Sequence, residues 1–297
     1  MVLWRKRRDK DGGFPAIVLG DVPCRVHVFF WLILFGSVLT GRFVEIITLF
    51  GVVFIHEWGH VAMARSFGWH IRDVELLPFG GVARFDEAPE SWRQEVCVIL
   101  AGPLTNLSMI PFSLLFGRLG WWPHVWVDYF ILANGIIAGF NLLPFPPLDG
   151  GRLFNVLMGR VLPYVQVLRQ SALVGLLGAG CLTGFAFVGF RTGTVHLNLL
   201  LIASFLGFHN VQEWRQIPYH FFRFLLRRRH HPEKSRRFRP LLLPVMAHWR
   251  LRVALERMRM ERYHWFVHPQ GRLIREEDLL RHYFAGHSHR TIRDLLP

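Results

Sequence analysis

The sequence predicts an α-helical polytopic membrane protein with about six transmembrane helices and a small cytosolic α/β domain at its C-terminal end. Two observations favour this fold class. Hydrophobic residues make up 52% of the 297 residues, and they are concentrated in long blocks that contain no Asp, Glu, Lys or Arg. The last part of the chain instead alternates short apolar stretches with turn residues, which is typical of a small soluble domain.

Four charge-free blocks each approach or exceed the roughly 20 residues that cross a bilayer as a helix. These blocks are residues 96–117, 129–148, 170–190 and 192–212. Two earlier apolar blocks, at about 26–41 and 45–64, complete the six predicted spans. The first span is short and carries His27, so its bounds are the least well defined.

Arginine is distributed unequally between the predicted loops. The Arg-rich segments are the N-terminal tail, loops 65–95 and 152–169, and the chain after Trp214. The alternate loops contain little more than Arg42, Arg118 and Arg191. Because cytoplasmic loops carry the excess of Lys and Arg, both termini are predicted to be cytoplasmic, which requires an even number of spans.

The charge pattern also suggests domain boundaries. The formal net charge is +14, and the run 223–239 is strongly basic. Contact of a juxtamembrane segment with anionic membrane lipids explains this run, and nucleic acid is not expected as a partner. The predicted organisation is a cytosolic tail over 1–22, a membrane domain over 23–214, a basic juxtamembrane linker over 215–240 and a regulatory domain over 241–297.

The run His56-Glu57-Trp58-Gly59-His60 places three ionisable side chains inside the second predicted span. In a helix, His56 and His60 lie on one face, so both imidazoles can reach one metal ion while Glu57 lies beside it. This HExxH spacing is typical of zinc hydrolases. Ionisable groups are costly at membrane depth unless they are paired or bound to metal, so the setting indicates a functional site.

Asp149 is the candidate for a third metal ligand. It follows the fourth span in the segment 141–151, where three prolines within residues 144–147 break the helix. Unwound backbone at membrane depth is tolerated where it is buried in protein or lines a wet cavity. The segment therefore carries Asn141 and Asp149 towards a site. The alternative role of Asp149 is to cap the helix that begins near Gly150.

The two motifs together, HExxH and about ninety residues later NxxPxxPxDG, resemble the site-2 protease family of intramembrane zinc metalloproteases. The segments 77–81 (LPFGG) and 101–104 (AGPL) are similar to the branch found in endospore-forming bacteria, which processes a pro-sigma factor. The similarity covers about residues 22–297. It implies His56, His60 and Asp149 as Zn²⁺ ligands, and Glu57 as the catalytic base.

The substrate-binding residues are inferred mainly from the same resemblance. Asn141 is expected to hydrogen-bond the exposed backbone of the substrate. Residues 74–85 are predicted to form a strand, a Gly-rich turn and a strand, and their edge would present the substrate, although an ordinary interfacial hairpin is the alternative. The candidate substrate-binding residues are Asn141, Pro144, Pro147, Pro78, Phe79, Gly80 and Gly81.

The predicted function is an intramembrane zinc endopeptidase that cleaves a membrane-associated protein near the cytoplasmic face. Zinc acidifies a water molecule and Glu57 accepts its proton. The expected substrate is a pro-sigma factor, the expected location is the membrane around the forespore, and inhibitory membrane proteins are expected partners. The alternative is a membrane metal transporter or metal-binding protein that uses the same His and Asp residues. Glu57 favours hydrolysis, because transport has no specific need for a base.

The C-terminal region is predicted to be a small α/β unit. Its predicted elements are a helix over Leu251–Arg262, a strand over Tyr263–His268, a turn over Pro269–Gly271, a strand over Arg272–Ile274 and a helix over Glu276–Phe284. This order resembles one half of a CBS domain, which implies ATP as a ligand. Since CBS motifs work in pairs, it also implies a homo-oligomer.

Overall fold

The computed structural model describes residues 17–19, 22–26, 28–77, 80–85, 91–188, 196–268, 270–287 and 290–295. The described chain is mostly helical. The helices are α1 (Val28–Leu39), α2 (Phe43–Ser66), α3 (Trp92–Arg118), α4 (His124–Asn141), α5 (Asp149–Met158), α6 (Tyr164–Ala186), α7 (Leu197–His230), α8 (Pro232–Arg236), α9 (Leu251–Leu255) and α10 (Glu276–His282). The strands are β1 (Ile17–Leu19), β2 (Val22–Val26), β3 (Ile71–Leu77), β4 (Gly80–Phe85), β5 (Pro240–Pro244), β6 (Tyr263–Val267) and β7 (Leu273–Arg275).

Among the described residues, three helices are long and apolar enough to cross a membrane. They are α2, α3 and α6, with 24, 27 and 23 residues. A helix of this length spans the hydrocarbon core, which is about 30 Å thick. The predicted helical membrane fold is confirmed at this level, and the count of six spans stays a prediction.

The first compact unit comprises Met1–Leu143 and Leu148–Gly150. Its four strands are ordered β1-β2-β3-β4, with β2 and β3 parallel and the other two pairs antiparallel. The two predicted strands are present and antiparallel, since β3 pairs with β4 from Leu77 opposite Gly80 to Ile71 opposite Phe85. The Gly-rich turn was wrong in detail, because Gly80 and Gly81 are the first residues of β4. The candidates Pro78 and Phe79 lie outside the described residues. In this unit, α2 packs against α3, and α3 packs against α4.

Helix α2 ends at a glycine in the left-handed region. Gly68 has φ 76°. Its N–H donates to the carbonyl of Arg65 at 2.9 Å, and the N–H of Trp69 donates to the carbonyl of Ala64 at 3.0 Å. Glycine adopts this conformation without the steric cost of a Cβ, and the two bonds satisfy carbonyls that the helix end would leave unpaired. The helix that carries the HExxH motif therefore stops a few residues before β3.

The second compact unit comprises Pro144–Pro147 and Gly151–Pro297. Here α6 packs against α7, and a three-stranded sheet has the order β5-β6-β7. Strand β5 runs parallel to β6, and β7 runs antiparallel to it. The core is formed by fully buried residues of the C-terminal segment, such as Leu251, Phe266 and Leu279, together with Leu225 of α7. The C-terminal α/β arrangement is present, and its assignment to a CBS domain stays a prediction.

The segment expected to be a basic linker, 215–240, is largely helical. Helix α7 continues to His230 and α8 follows it. The apolar residues Ile217, Phe221 and Leu225 recur every four positions, so they form one buried stripe between the exposed basic residues. The boundaries expected at residues 214 and 240 fall inside the second unit. The division into a membrane domain and a regulatory domain stays a prediction.

The helix expected over Leu251–Arg262 is shorter than the sequence indicates. It ends at Leu255. The guanidinium of Arg228 donates to the carbonyls of Arg259 and Arg262, both at 2.7 Å, and to that of Met260. The guanidinium, rather than a helical ladder, therefore satisfies these backbone carbonyls in the irregular stretch from Arg259 to Arg262.

Candidate active site

The HExxH residues lie on the buried face of α2. His56, Glu57 and His60 are 2%, 8% and 3% exposed, whereas Trp58 lies on the outer face. Because α2 is regular from Phe43 to Ser66, the four-residue spacing brings both imidazoles to one side of the helix, as the sequence predicts.

The third member of the group is Asp149. Its Oδ2 lies 3.0 Å from Nε2 of His56 and 3.0 Å from Nε2 of His60. The two Nε2 atoms are 3.2 Å apart. Asp149 is 8% exposed and is also the first residue of α5. Asp149 therefore lies both at the start of α5 and within reach of the two imidazoles, and its roles as metal ligand and as helix cap stay predictions.

The two residues after Asp149 are glycines, and each lies so close to the backbone of residues 142–146 that a side chain would not fit. A Cβ at Gly150 would be 2.2 Å from the carbonyl oxygen of Leu142. A Cβ at Gly151 would be 2.5 Å from the backbone nitrogen of Pro146. Real side chains do not tolerate such contacts with backbone atoms. The two glycines therefore allow the start of α5 to approach the backbone of the preceding segment closely, next to the carboxylate of Asp149.

Helix α3 orients His60 from the opposite side. The Nδ1 atom of His60 lies 2.7 Å from the carbonyl oxygen of Val98. A carbonyl accepts only from a protonated Nδ1, which leaves the lone pair of Nε2 directed at Asp149 and His56. In contrast, Nδ1 of His56 is buried and has no hydrogen-bond partner among the described residues.

The donor set fits zinc. Two imidazole nitrogens and a carboxylate oxygen are common zinc ligands, and three protein ligands leave a fourth position for water or substrate. With ligand bonds of about 2.0–2.1 Å, neighbouring ligand atoms of a tetrahedral site lie about 3.4 Å apart. The separations of 3.0–3.2 Å are within a few tenths of an ångström of that spacing. Within the described residues this is the group with metal-ligand geometry.

The described candidate substrate-binding residues lie at the end of α4, in the proline segment and at the start of β4, and their roles stay predictions. Asn141 is the last residue of α4, and its side-chain amide donates to the carbonyl of Ile137 at 3.0 Å. Pro144 and Pro147 lie in the irregular segment between α4 and α5. Gly80 and Gly81 begin β4.

Asn210 was missed by the sequence analysis. It is fully buried in α7, and its side chain contacts the broken proline segment. A signal was available: Asn210 lies in the charge-free block 192–212, and polar residues within apolar spans are costly unless they have a partner. Its partner, Pro146, is not apparent from sequence spacing.

Two buried histidines on an apolar helix of membrane-spanning length, joined by the buried Asp149 at the start of α5, define a membrane metalloenzyme site. Comparison with known proteins identifies the family. A model of Peptidase family M50 matches residues 44–121. The chain is 33% identical over 207 residues to stage IV sporulation protein FB of Bacillus subtilis, which covers 68% of this chain and 70% of that protein.

Two archaeal comparisons agree. A zinc metalloprotease of Methanocaldococcus jannaschii is 29% identical over 212 residues, which covers 66% of this chain and 59% of that protein. The solved structure of a site-2 protease from the same organism superposes with a TM-score of 0.53 at 27% identity, covering 66% of this chain and 93% of that one. The chain belongs to Peptidase family M50, the site-2 metalloproteases, and is a zinc metalloprotease of the membrane.

Proposed function

We propose that this chain is an intramembrane endopeptidase that removes the pro-sequence of a sporulation sigma factor near the cytoplasmic face of a membrane. The observation that carries the proposal is the buried group of His56, His60 and Asp149, with Glu57 adjacent on α2. Similarity to a relative named for stage IV of sporulation supports the biological setting. A membrane metal transporter, the alternative from the sequence, lacks this support because the similar proteins whose names state an activity are zinc metalloproteases.

The chemistry divides between the metal and the chain. When bound, zinc supplies a Lewis acid that polarises the scissile carbonyl and makes water more acidic. Glu57 accepts the proton of the attacking water and returns it to the leaving amine. The two histidines and Asp149 would hold the metal, and their burial keeps bulk water away from the reacting groups. Electrostatic interactions are stronger in such a secluded site than in water.

Substrate presentation is proposed at the hairpin of β3 and β4. A peptide bond in a transmembrane helix is internally hydrogen-bonded, so the substrate must be extended before it is cut. In the described sheet order, β4 is an edge strand, and an edge strand offers N–H and C=O groups to an added extended peptide. Pro78, Phe79, Gly80 and Gly81 belong to this proposal. Asn141, Pro144 and Pro147 are proposed contacts for substrate backbone near the metal.

The proposal includes the finer predictions on topology and assembly. They are six spans with both termini cytoplasmic, a location in the membrane around the forespore, inhibitory membrane proteins as partners, ATP binding by a CBS-like C-terminal domain and a homo-oligomer. The basic last turn of α7, with Arg227, Arg228, Arg229 and His230, supports a cytoplasmic position for that end.

The decisive experiment is co-expression of the full chain with a candidate pro-sigma factor. We expect the parent to cleave it and Glu57→Gln to be slower by about 10²- to 10⁴-fold, because general-base catalysis typically contributes that much. Zinc content should be retained in Glu57→Gln. The matched control is Glu45→Gln, which changes an exposed glutamate at the start of the same helix and should cleave at the parent rate.

Two outcomes would contradict the proposal. Near-normal cleavage by Glu57→Gln would remove the base from the mechanism. Cleavage of an unrelated helical membrane substrate with the pro-sigma factor left intact would keep the peptidase and reject the sporulation substrate.

A further inference from the structure

Asn210 joins the middle of α7 to the proline segment that precedes Asp149. Its side chain is fully buried. Its Nδ2 donates to the carbonyl of Pro146 at 2.7 Å and to the carbonyl of Leu206, in its own helix, at 2.8 Å. Pro146 is three residues before Asp149 in the chain. One amide of α7 therefore holds the backbone just before a metal ligand.

The proline segment, residues 144–147, has few other ways to form backbone hydrogen bonds. Three of the residues 144–147 are prolines, which have no N–H to donate and do not continue a helix. A carbonyl left unpaired in an apolar interior costs free energy, so the bond to Pro146 replaces what regular secondary structure would provide. The position of this segment depends on a side chain more than 60 residues away in sequence.

Helix α6 is shaped to accept this arrangement. A Cβ at Gly175 would be 2.1 Å from Oδ1 of Asn210. A Cβ at Gly178 would be 2.6–2.8 Å from the ring carbons of Phe145. These two glycines are three residues apart and so lie on neighbouring parts of one helix face. Side chains at either position would displace Asn210 or the proline segment.

The contact of Asn210 is not a general property of buried asparagines in these helices. Asn134 of α4 is equally buried, yet among the described residues its amide donates only to Phe130, four residues earlier in the same helix. Asn210 makes the equivalent bond within its helix and adds the bond to a second element.

We propose that Asn210 is a positioning residue for the metal ligand Asp149. By holding the carbonyl of Pro146, it fixes the segment from which the carboxylate is directed at the metal. It does not touch the metal, the substrate or the reacting atoms, and it acts through the backbone. The inference rests on the proposed zinc site, and it assigns a role to a residue that does not itself bind the metal.

The test is the zinc affinity of the purified full chain, measured by competition with a chelator. The first variant is Asn210→Leu, which keeps the approximate volume and removes the donor. We expect its zinc dissociation constant to rise by about tenfold to a hundredfold, the range that corresponds to one unpaired buried carbonyl. The matched control Asn134→Leu removes a buried amide without a bond between elements, and its zinc affinity should stay within about threefold of the parent.

Two further variants keep the test decisive if Asn210→Leu does not fold. Asn210→Asp keeps the shape but replaces the donor with an acceptor, so it should also weaken zinc binding. Gly175→Ala keeps the side-chain amide of Asn210 but adds a methyl group that displaces it. In the double variant Gly175→Ala with Asn210→Asp, the two effects should not add, because both act through the same hydrogen bond.

Several results would overturn the proposal. One is parent-like zinc affinity in a folded Asn210→Asp or Asn210→Leu protein. Another is equal weakening in Asn134→Leu, which would indicate a general cost of losing a buried amide. If Asp149→Asn kept full zinc affinity, the proposed zinc site itself would be wrong. Parent-like zinc affinity in the Asn210 variants alone would instead reject only the positioning role of Asn210.

Discussion

Gly102 of α3 lies directly against the imidazole of His60. A Cβ at this position would be 2.3 Å from Nε2 and 2.5 Å from Cε1 of His60, and 2.9 Å from Cε1 of His56. The absence of a side chain is therefore what lets α3 approach both histidines. A single turn of α3 both orients His60, through the carbonyl of Val98, and leaves room for the ring.

Gly102→Ala should displace the imidazoles and weaken zinc binding by about tenfold or more, as changes to groups that support metal ligands typically do. Zinc content and peptidase rate should fall together. The matched control is Gly135→Ala, since a Cβ there meets nothing within 4 Å. Equal zinc content in the two variants, measured by elemental analysis of purified protein, would show that the close contact at Gly102 is unimportant.

Asp149→Asn should reduce bound zinc from about one per chain to near zero, because an amide is a much weaker zinc ligand than a carboxylate. Asp128→Asn, an exposed change in α4, serves as the control and should keep full occupancy. Metal analysis after dialysis against a chelator distinguishes the two. Full occupancy in Asp149→Asn would remove it from the ligand set.

Glu276→Gln should destabilise the C-terminal part of the second unit. Glu276 is fully buried and accepts from Nη1 of Arg228 at 3.1 Å, and Arg228 itself is 6% exposed. Removing one partner of a buried pair leaves an uncompensated charge and typically costs about 3–5 kcal/mol. Hydrogen exchange of residues 251–287 in the full chain measures the loss. The control Glu256→Gln breaks the more exposed pair with Arg252 and should cost at most about 0.5 kcal/mol.

The same cluster predicts a pH dependence of stability. Burial lowers the pKa of His264 from 6.5, more than its hydrogen bond to Glu276 raises it. Its Nε2 accepts from the N–H of Arg259 at 3.1 Å, so the folded chain holds the ring neutral. Below pH 6.5 the unfolded chain takes up a proton first. The free energy of unfolding should therefore fall as the pH decreases from 6.5 towards the folded pKa.

Urea unfolding of the full chain at about pH 7.5 and about pH 5.5 tests this prediction. The pH-dependent loss should be smaller in His264→Gln and unchanged in His248→Gln, which alters an exposed histidine. Glu276 contributes at lower pH. Burial raises its pKa, but the bonds from His264 and Arg228 outweigh burial and lower it below 4.5. An identical pH dependence in the parent and His264→Gln would contradict the assignment.

The two motifs of the metal site could be recognised because each one is local. The spacing of His56 and His60 fixes their common face once a helix is assumed, and the prolines before Asp149 indicate where the next helix breaks. The two strands β3 and β4 were predictable for a similar reason, since short apolar runs next to paired glycines are typical of hairpins, although the glycines themselves lie in β4. Each of these patterns depends on residues within a short window, whereas the approach of Asp149 to His56 joins residues 93 positions apart.

The remaining features depend on distant partners. The helix from Leu251 ends at Leu255, and the predicted continuation over residues 259–262 is replaced by a stretch whose carbonyls bind Arg228, more than 30 residues earlier. Strand β5, with prolines at both ends, is a strand because β6 pairs with it in parallel. The apolar stripe of α7 was not recognised in the sequence because basic residues dominate the composition of that segment. Spacing alone gives no access to such long-range contacts.

Helix α7 carries two distant contacts along one continuous helix. Asn210 and Arg228 are separated by eighteen residues, which is five helical turns or about 27 Å. A displacement of the C-terminal sheet that moves Arg228 is thus carried along the helix to the carbonyl of Pro146. Pro218 lies between the two contacts and removes one hydrogen bond of the helix. The stiffness of this one turn sets how much of a displacement at Arg228 is absorbed by bending and how much reaches the carbonyl of Pro146.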